Sequence, residues 1–212
     1  MALDFAAARK NMVDSQVRTN DVTDVEIQEA MGAIARERFC PPGREDLAYA
    51  EATIGYAPGL RLMEPRDVSK LLQALFPRPG QTALAIAAPY AAAVMAHMGV
   101  DVTLLSPTEQ AVERCRSALG DLPVHLVVGD LKTPGEALFD LVVCEGAVSR
   151  VPQAWLDLLA IDGRLGVVER DGPVGKAIVY VRGEDGVVAR REVFDATPPM
   201  LPGFQRERGF AF

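Results

Sequence analysis

The sequence predicts an α/β protein: a doubly wound, mostly parallel sheet with an N-terminal helical cap and a C-terminal antiparallel hairpin. Three observations carry this reading. Beyond residue 80, short apolar runs at 82–87, 100–105, 124–128, 141–143 and 164–168 alternate with helical stretches at 90–98, 108–119 and 151–159. That is the rhythm of βαβ units joined by right-handed crossovers. Before residue 78 the apolar spacing is helical, and near the end the runs 177–182 and 187–194 flank Gly183-Glu184-Asp185-Gly186, a hairpin signal.

Taken in order, Phe5, Ala8, Met12, Val13 and Val17 give residues 4–20 the stripe of one amphipathic helix. Asp24 then precedes Val25, Ile27, Ala30, Met31 and Ile34, an N-cap ahead of a second helix that Pro41-Pro42-Gly43 ends. Residues 44–65 are punctuated by Gly55, Pro58, Gly59 and Pro65 and read as loop, with a helical turn over 45–49. A third helix over 67–76 stops at Pro77-Arg78-Pro79-Gly80. The nearly charge-free stretch 79–100 has the length of a bilayer span. Pro79, Gly80, Pro89, His97 and Gly99 divide it instead into a buried strand and a small-residue helix, so no membrane is expected.

The length of 212 residues suits one compact unit. Residues 1–78 are expected to form the cap and the substrate-side loops, and 79–212 a Rossmann-like domain. The 22 Lys plus Arg against 29 Asp plus Glu give a formal net charge of −7, and no basic run exceeds Arg190-Arg191, so the footprint of a nucleic-acid partner is missing. An acid at position 4 and a basic pair after the short apolar stretch reverse the order of a signal peptide. Cys40, Cys115 and Cys144 are odd in number and widely spaced, which describes neither a disulfide framework nor a zinc site. A reducing cytoplasm and no metal are expected.

In an open α/β sheet, ligands bind outside the carboxyl ends of the strands near the point where strand order reverses. The loops after residues 87, 105, 130 and 144 are therefore the expected site. Here the sequence resembles a known family. Asn11-Met12-Val13-Asp14-Ser15-Gln16-Val17-Arg18, Arg36-Glu37-Arg38-Phe39 with a proline following, and Tyr49-Ala50-Glu51 leading to Ile54-Gly55 are similar to the N-terminal region of the protein-L-isoaspartate O-methyltransferases. Pro79-Gly80, Gly129-Asp130, Phe139-Asp140, Val151-Pro152, Asp162-Gly163-Arg164-Leu165 and the tail 199–204 of a bacterial branch follow in the same order. The resemblance implies a class I methyltransferase fold and S-adenosylmethionine as methyl donor. It also implies carboxyl methylation of isoaspartyl residues in damaged proteins or peptides, for protein repair. It places Ile54, Gly55, Met63, Glu64 and Pro65 on the substrate side, and Ala87, Tyr90, Leu105, Asp130 and Glu145 at the cofactor positions, with no catalytic residue assigned.

The departures from the family pattern fall on the cofactor positions. Where the family carries an acid, a Gly-x-Gly-x-Gly-like loop and an aromatic, this chain reads Leu84-Ala85-Ile86-Ala87-Ala88-Pro89-Tyr90, about two residues shorter by alignment on Tyr90 and with no glycine between residues 81 and 98. Glycine serves such a loop through positive φ and close backbone approach, and proline offers neither. The second strand ends Thr103-Leu104-Leu105-Ser106-Pro107, without the acid that accepts ribose hydroxyls, a loss of about 1.5–3 kcal/mol. Met63 stands where the family has a serine. These departures predict impaired or lost donor binding and a degenerate homologue acting as a binding or regulatory protein, with an unidentified protein partner. The alternative is an active methyltransferase with an atypical loop.

A shortened loop with Pro89 at the first helical position should narrow the donor end of the pocket. Ala85, Ala87, Ala88, Ala91 and Ala92 would line whatever space remains, open to a small apolar ligand. Each site residue also has a plainer reading: Asp130 as the cap of a following helix, Tyr90 as core packing, and Glu145 as a solvated loop acid. His97 and His125 read as partly buried imidazoles, and Cys144 beside Glu145 as an inert thiol.

Overall fold

The computed structural model describes residues 4–206, so the outer ends of the segments 1–78 and 79–212 lie outside the described residues. α1 (Phe5–Met12) is capped by Asp4, whose carboxylate accepts the Ala7 N–H at 3.0 Å. The single helix expected over 4–20 is broken: a π turn spans Val13–Val17 and a 3₁₀ turn Arg18–Asn20. Ser15, Thr19 and Asn20 donate their side-chain hydrogens to the carbonyls of Asn11, Ser15 and Gln16, which loosens the helical ladder. Gln16, buried in the widened turn, donates to the Tyr49 carbonyl at 2.7 Å. α2 (Val25–Ala33) starts where its cap predicts, with Asp24 accepting the Glu26 and Ile27 N–H groups.

Two 3₁₀ turns, Arg36–Phe39 and Glu45–Leu47, lead into a hairpin within the stretch read as loop. β1 (Ile54–Ala57) pairs antiparallel with β2 (Leu60–Leu62) about Pro58-Gly59, where Gly59 takes a φ of +74°. Ile54, Tyr56, Leu60 and Leu62 are its buried positions. α3 (Pro65–Leu75) begins at a proline suited to the first helical position. It lies so close to the sheet that a Cβ on Gly166 would sit 3.0 Å from the Leu71 and Leu75 side chains.

The predicted sheet follows. β3 (Thr82–Ile86), β4 (Asp101–Ser106) and β5 (Val124–Val128) are parallel neighbours, joined through α4 (Pro89–His97) and α5 (Glu109–Leu119). β6 (Phe139–Val148) lies on the other flank of β3, followed after α6 (Gln153–Asp157) by parallel β7 (Leu159–Glu169). β8 (Gly175–Arg182) and β9 (Val188–Ala196) close the sheet as an antiparallel hairpin. The order is β5-β4-β3-β6-β7-β8-β9. β6 and β7 are longer than their apolar runs, and the helix expected over 151–159 shrinks to α6, because Phe139 pairs with Leu159 and carries the ladder into that segment.

The buried side chains form one cluster reaching from Met12 to Phe204. The tail crosses the carboxyl end of β6: the Ala147 N–H donates to the Pro199 carbonyl at 2.9 Å, and the Leu201 N–H to the Ala147 carbonyl at 2.8 Å. Leu201 fills the notch over Gly146, where a Cβ would meet its Cγ at 2.9 Å. Among the described residues no helix is long and apolar enough to cross a membrane.

Candidate functional site

After β3 the chain turns toward β4, and after β6 toward β7, so the strand order reverses between β3 and β6. The crevice at that reversal is where an open α/β sheet receives its ligand. Its floor is the Ala87-Ala88 turn. Ala87 adopts a φ of +47°, so the expectation that this loop lacks a positive-φ position is corrected. An alanine there costs about 1–2 kcal/mol. The turn is held on both sides: the Ala87 N–H donates to the Leu105 carbonyl at 2.9 Å, and the Tyr56 hydroxyl donates to the Ala87 carbonyl at 3.2 Å. Pro89 occupies the first position of α4, as its missing N–H favours.

Above the floor lies Glu145, which is neither solvated nor in a loop. It sits within β6, one residue past the last β3 pair, Ile86 with Cys144, and beside the Gly146 irregularity. It is 0% exposed. One carboxylate oxygen accepts the Ala91 N–H and the other the Met63 N–H, each at 2.9 Å. A helix N-terminus presents free N–H groups and a positive field to an anion. Here the protein's own carboxylate takes that place at α4. Burial pushes the Glu145 carboxyl above its ordinary value of 4.5, opposed by Arg36 and by the backbone donors.

Arg36, also 0% exposed, donates to the carbonyls of Ala48 and Met63 and lays its guanidinium 4.5 Å from the centre of the Tyr90 ring. Phe39 meets the same ring edge-on at 5.9 Å. In the sequence Arg36 stands out only as part of a motif, and Tyr56 carries no signal. Their contacts join segments far apart in the chain, which no local pattern encodes.

The residues singled out in the sequence therefore fall into two groups. Ala87, Tyr90, Glu145 and Met63 converge at the reversal point, all buried. Tyr90 is core packing there. The five alanines expected to line a vacated pocket are each 0% exposed and belong to the core cluster. Beside Met63 and Glu145 the remaining space is about 10 Å³. On the substrate side, Ile54 is buried in β1, Gly55 pairs with Arg61, and Pro65 opens α3. Glu64 lies 3.7 Å from Arg66, its carboxyl raised mainly by burial.

The second group lies outside β4 and β5. Leu105, 2% exposed, turns an apolar wall toward Gly129, whose added Cβ would sit 3.1 Å away. Asp130 caps no helix, since residues 129–138 contain none. Its carboxylate accepts the Lys132 N–H at 2.9 Å and the Thr133 hydroxyl at 3.1 Å, closing a turn. Next to it opens a cavity of about 620 Å³, bounded by Leu60, Pro107, Thr108, Asp130, Lys132 and Phe204. His97 and His125 are both exposed, not partly buried, with His125 3.4 Å from Asp101. The described residues hold no cluster suited to a metal ion. Burial, and then Glu145, push the Cys144 thiol up, leaving it inert.

Residues 7–193 match the family model described as Protein-L-isoaspartate(D-aspartate) O-methyltransferase. A protein-L-isoaspartate O-methyltransferase of Methylorubrum populi is 34% identical over 179 residues, covering 82% of this chain and 84% of its own. One from Gloeobacter violaceus is 32% identical, covering 85% and 92%. Among solved structures, a protein-L-isoaspartate O-methyltransferase from Plasmodium falciparum in complex with S-adenosyl-L-homocysteine superposes with a TM-score of 0.76 at 17% identity. It covers 91% of this chain and 97% of its own, and agrees in fold.

Proposed function

The chain belongs to the protein-L-isoaspartate(D-aspartate) O-methyltransferase family, and from that premise we propose that it is a member whose binding of S-adenosylmethionine is impaired or lost, acting as a binding or regulatory homologue. One observation carries the reading: at the strand reversal, Glu145 already holds the Ala91 and Met63 N–H groups over a floor of wholly buried Ala87, Ala88 and Tyr90. The residues present do not fit the donor end of that cofactor. Admitting it means breaking two charged hydrogen bonds, about 3 kcal/mol at the low end, which lowers apparent affinity by more than about 100-fold. Leu105, where an acceptor for ribose hydroxyls would stand, adds to this.

In this reading residues 1–78 are the cap that covers the site and 79–212 the Rossmann-like domain. The three free, buried thiols support a reducing compartment, the cytoplasm, and the partner is a protein not yet identified. A second reading, an active enzyme with an atypical loop methylating isoaspartyl peptides, draws support from Ala87, which keeps the left-handed turn without glycine. Calorimetric titration with S-adenosylmethionine and S-adenosylhomocysteine decides between them. No heat of binding is expected for the wild type or for Leu105→Asp; a micromolar Kd for either compound reinstates the enzyme.

A further inference from the structure

We propose that β5 is an interaction edge that pairs antiparallel with β5 of a second copy of this chain, giving a two-fold dimer with one continuous sheet. Such a dimer is independent of whether the strand-end crevice binds a cofactor. β5 is the last strand on its side of the sheet, and among the described residues nothing pairs with its outer edge. The Gly129 N–H donates to the Ser106 carbonyl at 3.1 Å. By the alternation of a strand, His125 and Val127 therefore turn their backbone groups to β4, while Leu126 and Val128 turn theirs outward.

The two margins of the sheet differ in how they guard against such pairing. β9, at the far margin, carries exposed Arg190, Arg191 and Glu192, and charged side chains are how an edge strand repels another. From Leu122 to Gly129 the sequence contains no acid, lysine or arginine, and β5 keeps an unbroken register with β4. Val127 is 43% exposed and Val128 40%, although parallel strands are ordinarily covered on both faces.

A second copy fits because β5 and its helix complement themselves under a two-fold axis. With the axis at Val127, Leu126 lies opposite Val128 of the second copy and Val128 opposite its Leu126, so the outward N–H groups of each copy meet the outward carbonyls of the other. Asp130 then falls across from Val124 and Asp121 lies outside the paired stretch, so neither acid flanking the strand is set against another. α5 borders the cap on the side of Ala118, beside Ala35 and Phe39. Helical spacing places Glu109, Glu113 and Arg116, all exposed, on the opposite flank, toward the edge. Running antiparallel across the axis, the two α5 helices bring Glu109 of each copy to Arg116 of the other, which also holds Glu113 of its own helix at 3.3 Å. The merged sheet ends in the charged β9 on both sides, so pairing closes at two copies.

Sedimentation equilibrium of the full chain is expected to show a reversible monomer–dimer equilibrium with a Kd of about 100 μM or tighter, as suits an interface at the small end of the range. Val128→Pro removes an outward N–H that β4 does not use, and an edge strand tolerates proline on that side. It should weaken the dimer at least about tenfold. Glu109→Arg and Arg116→Glu should each weaken it at least about threefold, and the double variant should return it to within about twofold of wild type. Thermal midpoints read alongside show whether the variants fold; should Val128→Pro not fold, the charge exchange decides alone. A chain that stays monomeric well above that Kd, an assembly larger than two, or a dimer that folded Val128→Pro leaves unchanged overturns the proposal. So do single charge reversals without effect, or reversals that the double variant does not restore.

Discussion

The two ends of the strand-end crevice invite comparison through the carboxylate each contains. Glu145, at the reversal between β3 and β6, has its oxygens on backbone N–H groups of α4 and of the segment after β2, and no solvent. Asp130, after β5, holds only its own turn, beside a cavity of about 620 Å³. One acid binds distant parts of the chain together and closes its end of the crevice; the other shapes a loop and leaves its end open. The topology makes one crevice, and its two ends differ in whether the strand-end donors are already held from within the chain.

The largest expected effect comes from removing those acids one at a time. Glu145→Ala orphans the Ala91 and Met63 N–H groups and removes a buried carboxylate that interacts electrostatically with the buried Arg36 guanidinium. It should destabilise the fold by about 3 kcal/mol or more in urea unfolding. Asp130→Ala should cost about 1 kcal/mol or less, as for the hydrogen bonds of an exposed turn. Equal losses would break the comparison.

The same contrast has a pH signature. Burial raises the Glu145 carboxyl, so the folded protein holds this proton more tightly than the unfolded chain does. Its contribution to stability is greatest below the unfolded value and diminishes as pH rises from about 4.5 through the folded value, by up to about 1.4 kcal/mol per pH unit. Glu145→Gln lacks this dependence. Urea midpoints between pH 4.5 and 7 should therefore move in favour of the variant relative to wild type as pH rises, and a constant difference would count against a perturbed Glu145.

The smallest effect concerns the floor. Ala85→Gly, in the middle of β3, loses a buried methyl and strand order, about 1.5 kcal/mol together. Ala87→Gly loses a similar methyl but relieves the left-handed backbone, so it should lie within about 1 kcal/mol of wild type and above Ala85→Gly in thermal midpoint. The reverse ranking would mean that Ala87 is unstrained.

The features legible in the sequence were those encoded by neighbours. Alternating apolar runs placed β3, β4 and β5, Asp24 announced α2, and Pro89 marked the start of α4. Illegible were features encoded across distance. The partners of Glu145 lie 54 and 82 residues away, so its isolated position in the chain suggested solvent. The β1–β2 hairpin was hidden because its strands are four and three residues long and its Pro-Gly turn reads equally well as loop. The left-handed turn at Ala87 carried no signal because the residue that usually announces it, glycine, is absent.

The tail that crosses β6 bears on the order in which the molecule assembles. Its anchors, the Ala147 backbone and the notch over Gly146, do not exist until β6 has been placed in the sheet. Yet the tail follows β9 in the chain and joins β6 across the whole intervening hairpin. Docking of residues 199–204 is therefore expected late in folding, a long-range closure made on a framework already standing. Its release is correspondingly expected early in local opening, since its backbone bonds sit at the rim and not within the ladder. The Leu201 amide is accordingly expected to exchange its hydrogen sooner than the amides of the ladder beneath it, giving the rim of the crevice a timescale of its own.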